Sequence, residues 1–359
     1  MNQKINKIIQ ELASSNDFQF ENNLEFSNFY NGKTVLITGA AGSIGSELTK
    51  RLSLLNCKNL VLLDISESAL YDLQQELYSS KVNNFQVVIC DVRNKSRLDY
   101  IFSVQKPNIV FHAAAYKHVP LMEQNPYESI SANVFGTCNT ASLSFKYDVE
   151  KFVLISSDKA VNPTNIMGAT KRIAELCVNQ NKYFNSKTSY ITTRFGNIID
   201  SSGSVIPLFK KQIEKREPVT LTHIDITRYF MSIPIASNLI LNSAIIGKNQ
   251  ETLVFDMGKP VKILDIAKAM ISLAKLEYPN DINIEITGLR PGEKMHEELV
   301  FNYEVLEPTS VKGIKRIKST NQQNEASIQK ILELYSISPD LSRDLIVAKI
   351  KEIVPEFNQ

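Results

Sequence analysis

The chain contains no tryptophan and only four cysteines and four histidines among its 359 residues. The cysteines, Cys57, Cys90, Cys138 and Cys177, lie far apart in the sequence and show no metal-ligand spacing. We therefore expect no metal site. We interpret the cysteines as buried free thiols of a protein in a reducing cytoplasm.

The chain also lacks an excess of charge and a long apolar run. The formal net charge of +2 gives no general affinity for nucleic acid or for a membrane surface. No apolar run approaches the ~20 residues that a membrane-spanning helix needs. The segment Met1 to Gln10 mixes polar residues with isoleucines, unlike a secretory signal. We therefore expect a cytoplasmic globular protein without a membrane span.

From residue 34 to 195, short apolar runs alternate with helical patterns, which is typical of a doubly wound parallel sheet. The predicted strands are 34–38, 60–63, 85–89, 109–112, 152–155 and 189–193. After Asn197, polar loops separate predicted helices near 206–215, 234–246 and 263–276 and a strand at 253–257. We therefore predict an α/β fold in which the parallel sheet is joined by a smaller substrate-binding part.

This pattern divides the chain into four segments. Residues 1–31, where Ile5, Ile8, Ile9 and Leu12 have helical spacing, form an extension that packs on the main body or on a partner. The other predicted segments are a nucleotide-binding domain at 32–199 with its sheet completed by about 250–258, an interleaved substrate-binding part at 200–310, and a helical tail at 311–359.

Three glycines with a spacing of three follow the first predicted strand and precede a helix. The first allows a tight turn, the second lets the backbone approach a pyrophosphate, and the third lets the helix pack on the strand. The helix N-terminus then faces the phosphates. The expected cofactor-binding residues of this turn are Gly39, Ala41, Gly42, Ser43, Ile44 and Gly45.

Further along the chain, strand ends supply other parts of a dinucleotide site. Asp64 ends the second strand, nineteen residues after Gly45, where an acidic residue binds the adenosine ribose hydroxyls and repels a 2′-phosphate. No Arg or Lys follows within 65–70, which favours NAD over NADP. After the third strand, Asp91 with Val92 either meets the adenine or lies in a surface loop. Small residues after the fourth strand leave room for a flat ligand, namely Ala113, Ala114 and Ala115.

The richest chemistry lies after the central strand. Ser157, Asp158 and Lys159 follow this strand directly, and a helical pattern begins near Met167. Lys171 is four residues further on and therefore shares a helix face with Met167. Since ligands bind at the carboxyl ends of parallel strands, these groups can surround a substrate with acid, base and positioning groups. The nearby lone His118 is more often structural, and we assign it no proton transfer.

Together these motifs resemble the extended short-chain dehydrogenase/reductase superfamily with its Rossmann domain. More closely, they resemble the soluble short form of the UDP-N-acetylglucosamine 4,6-dehydratases of polysaccharide biosynthesis. The matching stretches are Gly39–Gly45, His112–Pro120, Asn133–Thr137, Ser156–Pro163, Met167–Lys171, Arg194–Asn197, Thr227–Phe230 and Leu289–Lys294. The resemblance implies a bound NAD, a UDP-sugar substrate and a homodimer or higher homo-oligomer. Helices 126–147 and 167–183 would each present an apolar face to the second subunit.

The resemblance also implies roles for the central residues. A hydride leaves sugar carbon 4, water is lost across carbons 5 and 6, and the hydride returns to carbon 6. Ser157 would hydrogen-bond the 4-oxygen, Asp158 would protonate the leaving hydroxyl, and Lys159 would take the carbon 5 proton. Lys171 would hold the nicotinamide ribose. We expect burial and the charge of Lys171 to lower the pKa of Lys159, because a base must be neutral.

The residues expected to bind substrate lie in loops around this centre. They are Lys117, Asn133, Asn197, Arg228, Arg290 and Lys294. Arginine grips phosphate oxygens in a bidentate manner. We therefore place the UDP pyrophosphate near Arg228 and Arg290, the alternative being that both are surface arginines.

Met167 is a departure from the wider superfamily, whose catalytic tyrosine stands four residues before the lysine. A thioether has no proton to exchange. Because it carries Met at this position, the sequence resembles the dehydratase subgroup that keeps the configuration at carbon 5. Two other interpretations remain open, a UDP-sugar 4-epimerase and a non-catalytic NAD-binding protein. Lys159 beside Asp158 favours dehydration over epimerisation. The residues expected to bind substrate, Arg228, Arg290 and Lys294, count against a non-catalytic protein.

Overall fold

The computed structural model describes residues 24–180, 185–201, 203–318 and 325–359, with the isolated positions 5, 7–9, 11 and 183. Its strands are β1 Thr34–Thr38, β2 Asn59–Asp64, β3 Phe85–Ile89, β4 Ile109–His112, β5 Lys151–Ile155, β6 Ser189–Arg194, β7 Asn197–Ile198, β8 Val219–Leu221, β9 Thr227–Arg228, β10 Phe230–Met231, β11 Glu251–Phe255, β12 Val261–Lys262, β13 Ile284–Ile286, β14 Val305–Pro308 and β15 Ile314–Lys318.

The α-helices of the same residues are α1 Leu24–Tyr30, α2 Ser43–Ser53, α3 Glu67–Ser79, α4 Lys95–Gln105, α5 Val119–Gln124, α6 Pro126–Ser129, α7 Gly136–Lys146, α8 Ile166–Val178, α9 Val205–Glu214, α10 Ile233–Ile246, α11 Ile263–Leu273, α12 Glu325–Leu334 and α13 Arg343–Ile353. A π-helix, Ile130–Phe135, joins α6 to α7, and a 3₁₀ turn covers Asp158–Ala160. Within the described ranges, no helix is both long and apolar enough to span a bilayer.

Nine strands form one sheet in the order β14-β15-β11-β6-β5-β4-β1-β2-β3. The seven strands from β11 to β3 pair in parallel, and β14 and β15 extend the sheet in the antiparallel sense. The predicted doubly wound α/β fold is confirmed. The chain reverses its direction of winding between β1 and β4, and the carboxyl ends of strands meet there in a crevice that suits a ligand.

Strand side chains alternate between two apolar layers, one on each face of the sheet. Val35 and Ile37 of β1 pack with α2 and α10 on one face. Leu36 lies on the other face, in a cluster with Leu98 of α4 and Ala141 of α7. Because both faces are covered, the central strands β1, β4 and β5 contain continuous apolar runs, which is why they are recognisable in the sequence.

A smaller part of the chain packs beside the carboxyl ends of the strands. Its core contains side chains from α9, α11 and the short strands β8 and β13. Ile5 and Ile9 are buried in this same core, so these two residues of the N-terminal segment pack on the smaller part of the chain. Of the other two residues with this predicted spacing, Ile8 is half-buried and Leu12 lies outside the described residues.

The predicted helical tail at 311–359 needs a correction, because residues 314–318 form β15 beside β11. This strand reads Ile-Lys-Arg-Ile-Lys, and its mostly charged sequence shows no apolar run that would mark a strand. It is the second strand from the edge of the sheet, and four of its five residues are partly or fully exposed. Strand β14, within the predicted substrate-binding part, also joins the main sheet. The remaining boundaries between segments stay a prediction.

The apolar face expected to meet a second subunit is covered by the chain's own tail. Ile173 and Leu176 of α8 and Val134 of the π-helix pack in one cluster with side chains of α12 and α13. The predicted docking of a second subunit on this part of the helices is therefore wrong, because the tail folds back over it. The homo-oligomer stays a prediction without an assigned surface.

The expectation that all cysteines are free thiols is also wrong for one pair. Cys138 of α7 and Cys177 of α8 form a disulfide with a Cα–Cα distance of 5.8 Å. These helices pack side by side, which brings together residues that are 39 positions apart in the sequence. Cys57 and Cys90 are free and buried, as expected.

Candidate active site

The first glycine turn joins β1 to α2 in a conformation that favours glycine. Gly39 has a φ of +68°, and a Cβ there would lie 2.6 Å from the Ala114 nitrogen. A Cβ on Gly45 would collide with the Gly39 carbonyl oxygen. Gly42 is the N-cap of α2, and among the described residues no side chain caps it. A helix N-terminus without a side-chain cap fits the phosphates of a dinucleotide.

Asp64 lies beside this turn at the end of β2. Its Oδ2 accepts a hydrogen bond from the Ala41 nitrogen at 3.0 Å, and its Oδ1 accepts one from the Ser66 nitrogen at 3.0 Å. Ser43 and Ile44 begin α2 at the same edge of the sheet. The structure thus brings the predicted phosphate-binding and ribose-binding residues together.

Asp91 and Val92 lie at the next strand end. Asp91 Oδ1 accepts from the Arg93 nitrogen, and Oδ2 accepts from Arg93 Nε, each at 2.8 Å. Burial alone would raise the pKa of Asp91, but Arg93 lowers it, so the carboxylate is charged. Val92 packs against Gly136, where a Cβ would lie 2.6 Å from Val92 Cγ2. Arg93 also contacts Glu128 at 2.6 Å, a link that no sequence motif had indicated.

Small and neutral groups form the floor of the crevice between β1 and β4. Ala113, Ala114 and Ala115 are partly exposed there. Beneath them, the His112 ring nitrogens lie 2.8 Å from Thr38 Oγ1 and 3.0 Å from Thr137 Oγ1. Burial, helped by the charge of Lys171, lowers the pKa of His112 to about 3. His112 is therefore a neutral structural residue at physiological pH.

The groups after β5 form a hydrogen-bonded cluster. Ser157 Oγ donates to Asp158 Oδ1 at 2.8 Å, and Lys159 Nζ donates to the same oxygen at 3.0 Å. Lys159 Nζ also donates to Asn197 Oδ1 at 3.0 Å. The Asp158 side chain is fully buried, and its Oδ2 has no hydrogen-bond partner in the described part of the chain. A proton on Ser157 therefore has a direct route to Asp158.

The predicted fall in the pKa of Lys159 is wrong. Burial alone would lower this pKa, but the carboxylates of Asp158 and Glu297 together raise it above its ordinary value of 10.5. The neighbouring cation that lowers the pKa of Lys159 is Arg228 and not Lys171. Sequence reasoning missed Glu297, since its place in the chain, 138 residues after Lys159, gives no spacing signal.

Met167 and Lys171 lie on the first two turns of α8. Asn165 caps this helix by accepting from the Gly168 nitrogen at 2.8 Å. Lys171 Nζ donates to the Ile155 carbonyl at 2.9 Å, at the end of β5. Burial lowers the pKa of Lys171 to about 8, against the opposing charge of Glu175. Met167 is 2% exposed, so its side chain fills space beside this lysine.

Asn133 lies in the π-helix that interrupts the predicted helix 126–147. Its Oδ1 accepts from the Tyr116 nitrogen at 2.8 Å, and its Nδ2 donates to the Tyr116 carbonyl and to Thr170 Oγ1. Asn133 thus fixes the loop that carries Lys117 and His118, both of which are exposed. π-Helical turns of this kind are frequent at functional sites.

Arg228 is buried and already engaged by several acceptors. Its Nη1 donates to the carbonyls of Thr227 and Met295 at 2.7 and 3.2 Å, and its Nη2 donates to Glu293 Oε1 at 3.3 Å. Arg290, in contrast, is exposed, and its guanidinium forms no ion pair within the described residues. Of the two predicted phosphate ligands, Arg290 is the more accessible.

The loop 290–298 is docked on the loop that follows Lys159. Thr164 Oγ1 and Asn165 Nδ2 donate to the Gly292 carbonyl at 2.8 and 3.0 Å. Lys294 Nζ donates to the Val161 carbonyl at 2.9 Å. Lys294 therefore joins the two loops, and its predicted contact with substrate stays a prediction.

A model of the polysaccharide biosynthesis protein family matches residues 35–319. The chain belongs to this family. The match covers the sheet, the smaller part and every predicted site residue. It confirms the resemblance to enzymes of polysaccharide biosynthesis that the motifs indicated.

Curated relatives in bacteria support the same assignment. The chain is 51% identical over 276 residues to a capsular polysaccharide biosynthesis protein of Staphylococcus aureus, covering 76% of the chain and 46% of that protein. The chain thus spans about half the length of this relative. It is 33% identical to an inverting UDP-N-acetylglucosamine 4,6-dehydratase of Campylobacter jejuni, covering 87% and 93%. It is 34% identical to a UDP-glucose 4-epimerase of Rickettsia rickettsii, covering 79% and 82%.

Among solved structures, the protein Pen of Bacillus thuringiensis superimposes with a TM-score of 0.75 at 34% identity. The superposition covers 81% of this chain and 91% of that one.

Proposed function

We propose that the chain is an NAD-dependent dehydratase that converts UDP-N-acetylglucosamine to a UDP-4-keto-6-deoxy sugar with retained carbon 5 configuration. The observation that carries this proposal is the cluster at the end of β5. Ser157 Oγ and Lys159 Nζ both donate a hydrogen bond to Asp158 Oδ1, and each lies within 3.0 Å of it. A dehydratase needs a hydroxyl contact, an acid and a base at one sugar, and this cluster supplies all three.

The proton movements follow from the cluster's geometry. Ser157 Oγ hydrogen-bonds the sugar 4-oxygen, and the 4-hydroxyl proton passes through it to Asp158 Oδ1. Asp158 later gives a proton to the leaving 6-hydroxyl. Lys159, once neutral, takes the carbon 5 proton and finally returns a proton to carbon 5. The side chain of Lys159 is 19% exposed, so it can lose its own proton to water.

The arrival of a proton at Asp158 helps Lys159 to act as a base. Asp158 is one of the two carboxylates that stabilise the Lys159 ammonium. When Asp158 becomes neutral, that stabilisation is lost and the pKa of Lys159 falls. Removal of the 4-hydroxyl proton therefore prepares the base for the next step.

The residues of the glycine turn, with Asp64, Ala113 to Ala115 and Lys171, are those that would hold NAD. When bound, NAD supplies the nicotinamide carbon that accepts and returns the hydride. The pairing of Asp64 with the turn supports NAD over NADP, since a carboxylate there repels a 2′-phosphate. Purified protein should release NAD on denaturation. NADP, or no dinucleotide even after reconstitution, would contradict the proposal.

The UDP diphosphate is proposed to lie between the two loops that carry Arg228 and Arg290. The exposed Arg290 supplies the more accessible charge, and the buried Arg228 shapes the loop behind it. Lys117 and Asn197 lie on the sugar side of the same region. Asn197 would act there through its hydrogen bond to Lys159.

A UDP-sugar 4-epimerase is the second candidate, because an epimerase relative is as similar as the dehydratase relative. An epimerase needs no acid and base for dehydration. Incubation with UDP-N-acetylglucosamine followed by mass spectrometry separates the two. Loss of one water supports the dehydratase, whereas a product of unchanged mass that has become a 4-epimer supports the epimerase.

A further inference from the structure

Glu297 lies between two cations at the centre of the candidate site. Its side chain is 5% exposed, and its Oε1 lies 3.6 Å from Lys159 Nζ and 3.8 Å from Arg228 Nε. These are ion-pair distances that are too long for hydrogen bonds. Glu297 therefore acts on both neighbours through its charge.

The position of Glu297 is fixed by the protein around it. The loop 292–298 is hydrogen-bonded to residues 161–165 on one side. On the other side, the Thr227 nitrogen donates to the Met295 carbonyl at 3.1 Å. The neighbouring Glu298 is bound elsewhere, since it accepts from Asn162 at 3.0 Å and from Lys294 at 3.2 Å. Glu297 is thus placed at Lys159 by bonds on both sides of its loop.

The charged groups that face Lys159 come from three elements. Asp158 lies on the 3₁₀ turn and Glu297 on the loop after β13, and both are negative. Arg228 of β9 is positive, and Asn197 of β7 offers a neutral amide oxygen. Burial and Arg228 lower the pKa of Lys159, while the two carboxylates raise it. A group that takes a proton and returns it works best when neither form is strongly favoured.

We propose that Glu297 is a positioning residue of this site, whose carboxylate holds the Lys159 ammonium opposite Asp158 and keeps Lys159 able to carry a proton while buried. The inference rests on the proposed function, in which Lys159 takes the carbon 5 proton and later returns a proton to carbon 5. Once Asp158 has received the 4-hydroxyl proton, Glu297 is the carboxylate that still faces Lys159. Without it, burial and Arg228 would make the protonated lysine unstable just when it must hold the sugar's proton.

The first test measures Lys159 directly and needs no activity. The full chain is labelled with trace acetic anhydride across a pH series, and acetylation of Lys159 is read by peptide mass spectrometry. In Glu297→Gln, which keeps the size but removes the charge, the labelling midpoint should fall by roughly 1 pH unit or more. Glu297→Asp should restore most of the midpoint, because the charge is kept.

The matched control is Glu293→Gln. Glu293 lies 3.3 Å from Arg228 and forms no ion pair with Lys159 in the described structure. This variant should leave the Lys159 midpoint in place. Thermal unfolding of each variant checks that it is folded. An unchanged midpoint in folded Glu297→Gln, or an equal fall in the control, would overturn the proposal.

Kinetics then separate this inference from the proposed function. In Glu297→Gln, the limb of the kcat profile that rises with pH should move to lower pH with the labelling midpoint. If the midpoint falls but the unchanged enzyme dehydrates no UDP-sugar, the role of Glu297 stands and the proposed function fails. If the unchanged enzyme dehydrates the sugar and neither midpoint nor limb moves, the function stands and the role of Glu297 fails.

Discussion

Asp158→Asn tests the chemistry of the central cluster most sharply. Asparagine keeps the shape of the side chain and an oxygen that can accept from Ser157 and Lys159, but it can neither take nor give a proton at pH 7. The fold should therefore survive. The reaction loses its acid for the 6-hydroxyl and its acceptor for the 4-hydroxyl proton.

The expected loss follows from the scale of general acid–base catalysis. Such a group contributes roughly 100-fold to 10,000-fold, which corresponds to about 2.7 to 5.5 kcal/mol in the barrier at about 1.36 kcal/mol per tenfold. Asp158 lies 2.8 Å from Ser157 Oγ and 3.0 Å from Lys159 Nζ, so no water need intervene. We expect kcat for dehydration of UDP-N-acetylglucosamine to fall at least ~100-fold.

The assay follows product by mass and the cofactor by near-ultraviolet absorbance. Because the 4-hydroxyl proton has lost its acceptor, Asp158→Asn should stall before reduced nicotinamide accumulates. Asp148→Asn is the control, since this exposed residue pairs with Lys187 on the surface, and its rate should be unchanged. If reduced nicotinamide accumulates in Asp158→Asn, Asp158 acts only in the elimination step and another group accepts the 4-hydroxyl proton. A rate close to that of the unchanged enzyme would refute the reasoning altogether.

Three further predictions concern other parts of the structure. Met167→Leu should keep most of the dehydratase rate, because the buried thioether only fills space; a loss as large as that of Asp158→Asn would contradict this. Arg290→Ala should raise KM for the UDP-sugar far more than it lowers the content of bound NAD; an unchanged KM would remove the diphosphate assignment. Glu175→Ala should lower the free energy of unfolding by roughly 3–5 kcal/mol in urea titrations, because it removes one of the two carboxylates that pair with buried Arg194 and leaves that guanidinium only Glu304; a loss within ~0.5 kcal/mol would contradict this. Burial alone would raise the pKa of Glu175, but Arg194 and Arg172 lower it, so its contribution should be complete above pH ~4.5 and vanish as the pH falls through the lower folded pKa.

The parallel sheet could be predicted because the signals for its strands and turns come from residues that are close together in the sequence. Most strands from β1 to β5 contain a short apolar run, and β1 is followed by a glycine turn whose spacing is typical of dinucleotide binding. Ser157, Asp158 and Lys159 adjoin one another in the sequence, so their proximity needed no tertiary information. The predicted family and fold class are confirmed for these reasons.

The features that sequence reasoning missed depend on contacts between distant segments. Glu297 reaches Lys159 only because the loop 292–298 docks on residues 161–165. The pKa of Lys159 is raised by Asp158, its neighbour in the sequence, and further by Glu297 through this contact, so the sign of the predicted shift was wrong. The tail helices cover an apolar face that, read by itself, resembles a subunit interface. The loop 292–298 and the tail helices reach their contacts only in the folded chain, so no local sequence pattern predicts these contacts.

The most direct test of the central claim is the reaction in deuterated water, followed by NMR. We predict a UDP-4-keto-6-deoxy sugar with deuterium at carbon 5, because Lys159 exchanges its protons with solvent before it protonates carbon 5. The configuration at carbon 5 should be that of the substrate. A 4-epimer without solvent deuterium, or recovery of unchanged UDP-N-acetylglucosamine from protein loaded with NAD, would contradict the account.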